Sequence, residues 1–288
     1  IILKPFIIGI GKDTHEAYDC AGQYFNASNK KQFTKALNII ITKVLSQTSL
    51  QINLLDKYNR PTESNVNMTF INKHTGEIAY NYVHTLNSKG RPDTLYVDHL
   101  VDYKIIINTV PKTVIDSVKL TEGKHTTVSA ECRQGSLMVK LMGSSKSDFN
   151  PSIIINNEVY NGILNVQYLN ENVKYLTGKY DITILTLPKI VLPEIDIESD
   201  NQTKIEIENP GIAVIQKSIK GYGSIYALDK DKQTWIIDFG SNSNTTESLY
   251  LQPGSYRLIF RSKFSTQSVT TSVNEFEIFS EKTTRIKL

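Results

Sequence analysis

A run of alternating apolar residues from a tyrosine to a proline occurs twice in this sequence with the same internal spacing. The first copy runs from Tyr103 to Pro111, and the second runs from Tyr180 to Pro188. Two further apolar residues follow each proline, again at matching offsets from the tyrosine of their own copy. Those further residues are Val118 and Val128 in the first copy, and Ile195 and Ile205 in the second. Equal offsets over such a length indicate a repeated structural unit.

A third, less regular copy is predicted around Tyr256. Pro253 and Gly254 precede this tyrosine and favour a turn, because proline restricts φ and glycine adopts backbone angles that other residues avoid. The spacing after Tyr256 is about five residues longer than in the other copies. In all three copies the alternation places the tyrosine ring on the core face of a strand, with its hydroxyl near the rim of that core.

From Thr48 onward, apolar and polar residues alternate with the period of a β-strand. Turn signals such as His74–Gly76 separate the short alternating runs. About seven short strands in about eighty residues are typical of a β-sandwich. The chain is therefore predicted to be mostly β, with three tandem Ig-like sandwich modules at residues 49–133, 134–209 and 210–288.

The start of the chain follows a different pattern. An apolar run at 5–11 predicts a strand buried on both faces of a parallel sheet, and a helical segment at 14–21 leads to a second strand at 23–27. Ser28 or Asn29 suits the N-cap of a helix of about five turns. Its apolar stripe consists of Phe33, Ala36, Leu37, Ile40, Ile41, Val44 and Leu45. Two strands cannot bury this helix, so we predict the end of a larger doubly wound α/β sheet.

Composition limits the possible functions. Hydrophobic residues make up 40% of the chain and charged residues 21%, as in folded soluble proteins. The net charge of +3 and the scattered basic residues argue against nucleic acid as a partner. No apolar run approaches the ~20 residues of a transmembrane helix. Cys20 and Cys132 are expected to be buried thiols rather than a disulfide. The chain begins at Ile1 inside a predicted core strand, so we expect further residues before it.

The segment 1–48 resembles the C-terminal end of a von Willebrand factor type A domain. The resemblance rests on the apolar run Phe6–Gly11, on the run Cys20–Ala27, and on a helix that opens near Lys31. It implies the terminal α/β portion of a Rossmann-like domain. The family binds a divalent metal through an Asp-x-Ser-x-Ser motif and residues of later loops, none of which lies in this chain. No metal ligand is therefore assigned here, although the upstream portion of such a domain would hold a divalent metal.

The three predicted modules are similar to PEGA-type and carboxypeptidase-regulatory-like β-sandwich modules. The pattern Leu-x-Pro-Gly-x-Tyr-x-Leu at 251–258 carries this resemblance, with weaker copies at 176–182 and 100–105. Modules of these kinds serve mostly as spacers and recognition surfaces. The resemblance therefore implies a fold more strongly than it implies a function.

No group of residues in the sequence requires a catalytic or cofactor role. Gly9 and Gly11 fit a tight turn at a strand end better than a dinucleotide site, because the third glycine of that motif is missing. His74 and His84 flank one predicted hairpin, where surface histidines are favoured over a metal pair. The other histidines, at positions 15, 99 and 125, form no metal-binding spacing. We therefore predict a protein that is not an enzyme and has no cofactor.

A group of carboxylates and a group of aromatic residues are each assigned a structural role. Alternating carboxylates from Glu194 to Asp200 are predicted to be the solvated side of a strand rather than a calcium site, because the loop motif for calcium is missing. Aromatic residues in the last module are predicted to pack in the core and at its rim, with a platform for sugar or protein as the alternative. This possible interaction surface consists of Tyr222, Tyr226, Trp235 and Tyr250.

Together these observations predict a non-catalytic scaffold or adhesion protein of the cell envelope, located in the periplasm, at the cell surface or outside the cell. Its partners would be other envelope or outer-membrane proteins, as in a subunit of a larger outer-membrane assembly. Two alternatives stay open at this point. The modules are accessory domains of an envelope hydrolase whose catalytic part precedes Ile1, or the last module binds carbohydrate.

Overall fold

The computed structural model describes residues 6–10, 23–45, 47–143, 148–230, 232–240 and 245–288. These residues fold mostly as β-strands, as the alternation predicts, and the described part of the chain contains one α-helix. The chain divides into two compact units. The first unit comprises residues 1–108 and 112–132, and the second comprises 109–111 and 133–288.

The α/β segment of the first unit contains two strands and the helix. β1 (Phe6–Gly9) pairs in parallel with β2 (Gln23–Asn26), and α1 spans Lys30–Leu45. Asn29 is the N-cap, because its side-chain oxygen accepts a hydrogen bond of 2.9 Å from the backbone N–H of Gln32. The parallel pairing and the cap agree with the sequence patterns. The helical segment predicted at 14–21, like Cys20, His15 and Gly11, lies outside the described residues.

Burial of the first strand is lower than the sequence predicts. Ile7, Ile8 and Gly9 of β1 are half-buried rather than buried on both faces, and Ile10 directly after them is exposed. On the apolar stripe of α1, Ala36 is buried, whereas Phe33, Leu37 and Ile41 remain exposed. The exposed part of the stripe agrees with the prediction that two strands cannot bury this helix, whereas the expected burial of β1 on both faces is not observed.

The first β-sandwich module belongs to the same unit and contains seven strands. A three-stranded sheet has the order β6-β3-β9, and a four-stranded sheet has the order β5-β4-β7-β8. The strands are β3 (Ser49–Leu55), β4 (Asn67–Asn72), β5 (Ile78–Val83), β6 (Thr94–Tyr96), β7 (Tyr103–Ile107), β8 (Thr113–Val118) and β9 (His125–Glu131).

The second module, in the second unit, repeats this topology. Its sheets have the orders β13-β10-β16 and β12-β11-β14-β15. The strands are β10 (Gln134–Leu141), β11 (Ile153–Asn157), β12 (Tyr160–Gln167), β13 (Val173–Leu176), β14 (Gly178–Ile184), β15 (Ile190–Ile197) and β16 (Gln202–Ile207).

The third module, also in the second unit, has the sheet orders β20-β17-β23 and β19-β18-β21-β22. A short 3-10 helix at Ser268–Thr270 lies between β21 and β22. The strands are β17 (Gly211–Gln216), β18 (Gly221–Asp229), β19 (Lys232–Phe239), β20 (Thr246–Leu251), β21 (Gly254–Ser262), β22 (Ser272–Ile278) and β23 (Thr283–Lys287).

The repeated tyrosines occupy equivalent positions in the three modules. Each lies on the fifth strand of its module and is directly opposite a residue of the sixth strand: Tyr103 faces Val118, Tyr180 faces Ile195, and Tyr256 faces Phe276. All three rings are buried, with at most 2% of the residue surface exposed. The offsets read from the sequence therefore reflect the same strand register in successive sandwiches.

Two of the three tyrosines also close the turn that precedes their own strand. The hydroxyl of Tyr180 donates a hydrogen bond of 2.7 Å to the backbone carbonyl of Leu176, and that of Tyr256 donates one of 2.6 Å to Gln252. Tyr103 differs. Burial raises its pKa, and its hydrogen bond with the Asp98 backbone acts in the opposite direction, as expected where a backbone N–H donates to the hydroxyl oxygen. Tyr180 and Tyr256 each fill a core with the ring and satisfy a turn carbonyl with the hydroxyl, so each links core packing to the geometry of the turn.

Candidate functional site

The most structured group of exposed side chains lies on the outer surface of the four-stranded sheet in the third module. The pleat of β18 alternates buried Gly221, Gly223 and Ile225 with outward Tyr222, Ser224 and Tyr226. We call nine of the outward-facing residues of this sheet the aromatic face. It consists of Tyr222, Ser224, Tyr226, Gln233, Trp235, Asp238, Arg257, Arg261 and Glu275.

A β-bulge places the indole of Trp235 beside a carboxylate. The register between β18 and β19 shifts between Ile225 and Tyr226, so that Trp235 lies opposite Tyr226 while Asp238 lies opposite Ser224. Residues three apart on a regular strand would point to opposite faces, but here both point outward. The Trp235 Nε1–H therefore donates a hydrogen bond of 2.8 Å to Asp238 Oδ1.

Asp238 is held by two donors on its own face. The Ser224 hydroxyl donates a hydrogen bond of 2.6 Å to the same Oδ1 that accepts from Trp235. These bonds from Ser224 and Trp235 favour the ionised carboxylate and lower the pKa of Asp238 below its usual range. Trp235 remains 57% exposed. The ring is thus oriented by a hydrogen bond rather than by burial in a core.

Arg257 orients the neighbouring polar groups. It lies opposite Glu275 in the β21–β22 ladder, and its Nη2 is 2.6 Å from Glu275 Oε1. Its Nη1 donates a hydrogen bond of 2.8 Å to Gln233 Oε1 on β19. Farther along the face, the Arg261 guanidinium lies 5.5 Å from the centre of the Tyr222 ring. Two guanidinium groups on this face therefore balance the two carboxylates of Asp238 and Glu275.

The structure separates the four aromatic residues that the sequence grouped together. Tyr222, Tyr226 and Trp235 share the aromatic face. Tyr250 lies on β20 in the other sheet, and its ring centre is 5.3 Å from that of Phe149. Tyr250 therefore contacts Phe149 and remains 36% exposed, whereas the other three rings lie on the outer surface of the four-stranded sheet.

A second feature of the second unit is a repeated contact made by the loop that follows the tyrosine strand. Between β14 and β15, the Leu187 carbonyl accepts a hydrogen bond of 2.7 Å from the Gln252 N–H, and the Leu187 side chain packs against the core of the third module. The Thr186 hydroxyl closes this loop by donating to the Pro188 carbonyl over 2.6 Å. The loop of one module thus forms part of the core of the next.

The segment Thr109–Pro111, which belongs to the second unit, has the same geometry. The Val110 carbonyl accepts a hydrogen bond of 2.7 Å from the Leu176 N–H, and its side chain packs against the core of the second module. The Thr109 hydroxyl donates to the Pro111 carbonyl over 2.7 Å. Pro111 and Pro188 both follow cis peptide bonds. The prolines that the sequence marked as repeat ends therefore belong to docking loops.

The histidines show one error of the sequence interpretation. His74 is exposed in the β4–β5 turn, but His84 is buried, and its Nε2 lies 2.8 Å from the Ile52 carbonyl oxygen. The His84 backbone N–H donates a hydrogen bond to the Val66 carbonyl. This bond continues the β4–β5 ladder and places the His84 ring on the inward side. Burial lowers the pKa of His84, so the neutral ring is favoured. The expectation of a surface histidine is wrong for His84.

The other candidate positions are placed as follows. Glu194, Asp196, Glu198 and Asp200 are all exposed, in agreement with a solvated side of the strand. Among the described residues, no group of three or more His, Cys, Asp or Glu side chains is arranged to hold a metal ion. Cys132 is buried in the first module, as expected, and burial raises the pKa of its thiol to about 11.

Sequence reasoning missed the polar part of the aromatic face and the role of the docking loops. Strand pairing, not the local sequence, brings Asp238 and Arg257 beside the rings. Nothing in the local pattern therefore distinguishes these two residues from other surface charges. The loops carried a signal, since Thr-x-Pro occurs at the same offset after Tyr103 and Tyr180.

Within the described ranges, no helix has both the length and the apolar character needed to cross a membrane.

No protein-family model matches this chain, and no curated protein sequence matches it. Several solved structures are similar to it at low TM-scores. The Bacillus anthracis TIE protein has 14% sequence identity and a TM-score of 0.24, and the match covers 84% of this chain and 50% of that protein. The chain thus spans half the length of that protein.

Two pilus proteins are also similar. BcpA*(D312A), the major pilin subunit of Bacillus cereus, has 8% identity and a TM-score of 0.22, with 83% of this chain and 97% of that chain covered. The pilus adhesin RrgA of Streptococcus pneumoniae has 12% identity and a TM-score of 0.21, with 96% and 36% covered. At such TM-scores these similarities carry no argument, and the fold class rests on the strands and sheets described above.

Proposed function

We propose that this chain is a non-catalytic scaffold or adhesion protein of the cell envelope or cell surface. In this proposal its second and third β-sandwich modules form a firmly joined pair that presents a recognition surface to envelope or outer-membrane partners. The segment 1–48 would be the end of a von Willebrand A-type domain, whose upstream part would carry the metal-dependent adhesion site.

The observation that carries this proposal is the docking of Leu187 into the core of the third module. A module that lends a residue to its neighbour's core is joined more firmly than two domains on a flexible linker. The joint at Asn209 adds to this, because this residue is buried and its Nδ2 donates to the Met142 carbonyl over 2.6 Å. A firm joint suits a protein that has to hold a recognition surface at a fixed place.

The substitution Leu187→Ser tests the joint. We expect it to lower the free energy of unfolding of the third module by about 1–2 kcal/mol, because a half-buried leucine is lost from its core. Leu185→Ser is the matched control, since Leu185 is exposed on the same loop. Denaturant unfolding of the whole chain, followed by Trp235 fluorescence, reports on the third module. Equal effects of both substitutions would contradict a docking role.

The envelope role is tested by purification of the tagged chain from native membranes after crosslinking. We expect envelope or outer-membrane proteins to be recovered with the chain, and fewer of them with Leu187→Ser than with Leu185→Ser. A chain that is recovered as a monomer without envelope proteins would overturn the proposed scaffold role.

A further inference from the structure

We infer that the aromatic face of the third module binds a neutral polysaccharide, with a sugar ring stacked on Trp235 and Tyr226. This inference rests on the proposed recognition role of the protein and names the ligand class. A sugar ring in its chair form has apolar C–H groups on its faces and hydroxyl groups at its rim. It therefore needs flat aromatic surfaces that lie close to hydrogen-bonding side chains.

The rings on this face do not serve the core of their module. That core is formed by inward residues such as Ile225, Tyr256 and Leu258, all at most 1% exposed. Trp235 is 57% exposed and Tyr222 is 48% exposed. Leaving large apolar surface in water forgoes the free energy that its burial would provide. Tyr226 beside them is half-buried, so the three rings together present apolar surface that a ligand could cover.

Strand pairing places Trp235 and Tyr226 side by side. They are direct cross-strand partners, so their Cβ atoms lie about 5 Å apart on one face of the sheet. The Trp235 ring is already held by Asp238, which reduces the ordering cost for the indole when a ligand arrives. Neighbouring rings on a sheet can contact successive sugar units of one chain.

Polar groups surround the rings at hydrogen-bonding distance from one another. The Ser224 and Trp235 donors both bond Oδ1 of Asp238, so its Oδ2 can accept from a ligand hydroxyl. Gln233 and Arg257 hold each other in place on the other side of the ring pair. Fixed acceptors and donors next to a stacking surface match the hydroxyl rim of a sugar.

Charge favours a neutral ligand. On the aromatic face the carboxylates of Asp238 and Glu275 are offset by the guanidinium groups of Arg257 and Arg261. Nucleic acids also stack on aromatic rings, but they require a positively charged groove along the backbone. A face without excess positive charge does not attract a phosphate backbone. A neutral ligand that carries hydroxyl groups needs no net charge on the protein surface.

Of the three modules, only the third has an aromatic residue at the position of Tyr226. The cross-strand partner of Arg257 is Tyr226 in the third module, whereas the same position in the second module holds Asn156, opposite Asp181. In the first module it holds Ile71, opposite Lys104. Since the three modules share one fold, an aromatic residue at this position is not needed to build it.

The experiment is a binding assay of the whole chain on four neutral polysaccharides: cellulose, chitin, insoluble β-1,3-glucan and insoluble starch. We expect retention on at least one of these and at least about a tenfold weaker affinity for Trp235→Ala, because the stacking area is lost. Asp238→Asn is expected to weaken binding less. Tyr160→Ala is the matched control, since Tyr160 is an exposed tyrosine of the second module and is expected to leave binding unchanged.

Three results would overturn this inference. The first is wild-type protein that binds none of the four polysaccharides. The second is an equal loss of binding for Trp235→Ala and Tyr160→Ala. The third is a wild-type dimer in sedimentation that Trp235→Ala converts to monomer, since the face would then be a protein interface. Thermal unfolding identifies any variant that fails to fold, and Trp235→Phe then replaces it. The scaffold role is tested separately through Leu187, so either proposal can fail alone.

Discussion

The second and third modules have the same strand order and an equivalent buried tyrosine, yet they differ on the outer surface of the four-stranded sheet. Tyr180 and Tyr256 fill equivalent core positions and bond equivalent turn carbonyls. On the outside, the position that holds Asn156 in the second module holds Tyr226 in the third. Inward positions are restricted by packing, whereas outward positions are free to acquire a recognition role.

The loops after the tyrosine strands differ as well. In the second module this loop is short and docks Leu187 against the following core. In the third module it is longer, includes the 3-10 helix Ser268–Thr270, and exposes Phe264 and Val269. The extra length is the extension of about five residues that the sequence spacing showed after Tyr256. A repeated fold thus tolerates change where the chain is not held between two sheets.

The largest expected effect on stability comes from removing an inward-facing tyrosine, and it is compared with the removal of an outward-facing one. Tyr180→Ala and Tyr256→Ala should each lower the free energy of unfolding by about 3–5 kcal/mol, because a fully buried aromatic ring is removed from a core. Tyr222→Ala, on the outer surface of the third module, should change it by no more than about 1 kcal/mol. Urea unfolding followed by circular dichroism measures the difference. Similar losses for inward and outward tyrosines would break the contrast.

A smaller effect is expected at two equivalent glycines within the first two residues of the first strands of these modules. A Cβ added at Gly135 would lie 2.1 Å from the Glu198 carbonyl oxygen, and one at Gly211 would lie 2.4 Å from that of Phe279. Backbone atoms cannot move aside easily, so each Gly→Ala change should cost about 1–3 kcal/mol. Gly240→Ala is the control, because no atom lies within 4 Å of its added Cβ.

These glycine variants are compared by thermal unfolding. We expect Gly135→Ala and Gly211→Ala to lower the melting temperature by similar amounts, since both modules use the same close approach of strand and turn. A loss at only one of the two positions would show that the modules are less alike than their registers indicate.

The smallest expected effect concerns alkaline pH. Burial raises the pKa of Tyr180 and of Tyr256 from 10.0 to about 12, so the folded state keeps these hydroxyl protons to higher pH than the unfolded chain does. Their contribution to stability is fully present below about pH 10 and is lost as the pH rises toward 12. Unfolding in urea at a series of pH values should therefore show falling stability above pH 10.

Tyr256→Phe separates this contribution from the titration of lysines. The variant should lose about 1 kcal/mol at neutral pH, because the hydrogen bond to the Gln252 carbonyl is missing. Above pH 10 it should lose less stability than the wild-type chain does. A wild-type slope that is unchanged in the variant would contradict the assigned role of the hydroxyl.

Much of the inward-facing structure could be predicted from the sequence. Alternation identified the strands that carry Leu50, Tyr103 and Ile182, because the period of two is set by the backbone itself. Equal offsets identified the repeat, and the pattern Pro253-Gly254 identified a turn in which Gly254 has φ of +154°. Each of these signals lies within a few residues of the structure that it predicts.

The aromatic face could not be predicted in the same way. Trp235 and Asp238 would point to opposite sides of a regular strand, and only the bulge opposite Ile225 brings them together. Tyr250 is close to Trp235 and Asp238 in the sequence but lies in the other sheet. His84 follows an exposed hairpin, and its burial depends on a carbonyl contributed by Ile52, which lies far earlier in the chain.

The sequence by itself determined the β-sandwich class, the repeat and the inward direction of its tyrosines, because alternation and spacing act along the chain. Tertiary structure decided which strands became neighbours, and therefore which outward side chains meet. It also decided that Leu187 completes the core of the following module and that Trp235 is held by Asp238. Strand pairing depends on contacts between residues far apart in sequence, so no local pattern records it.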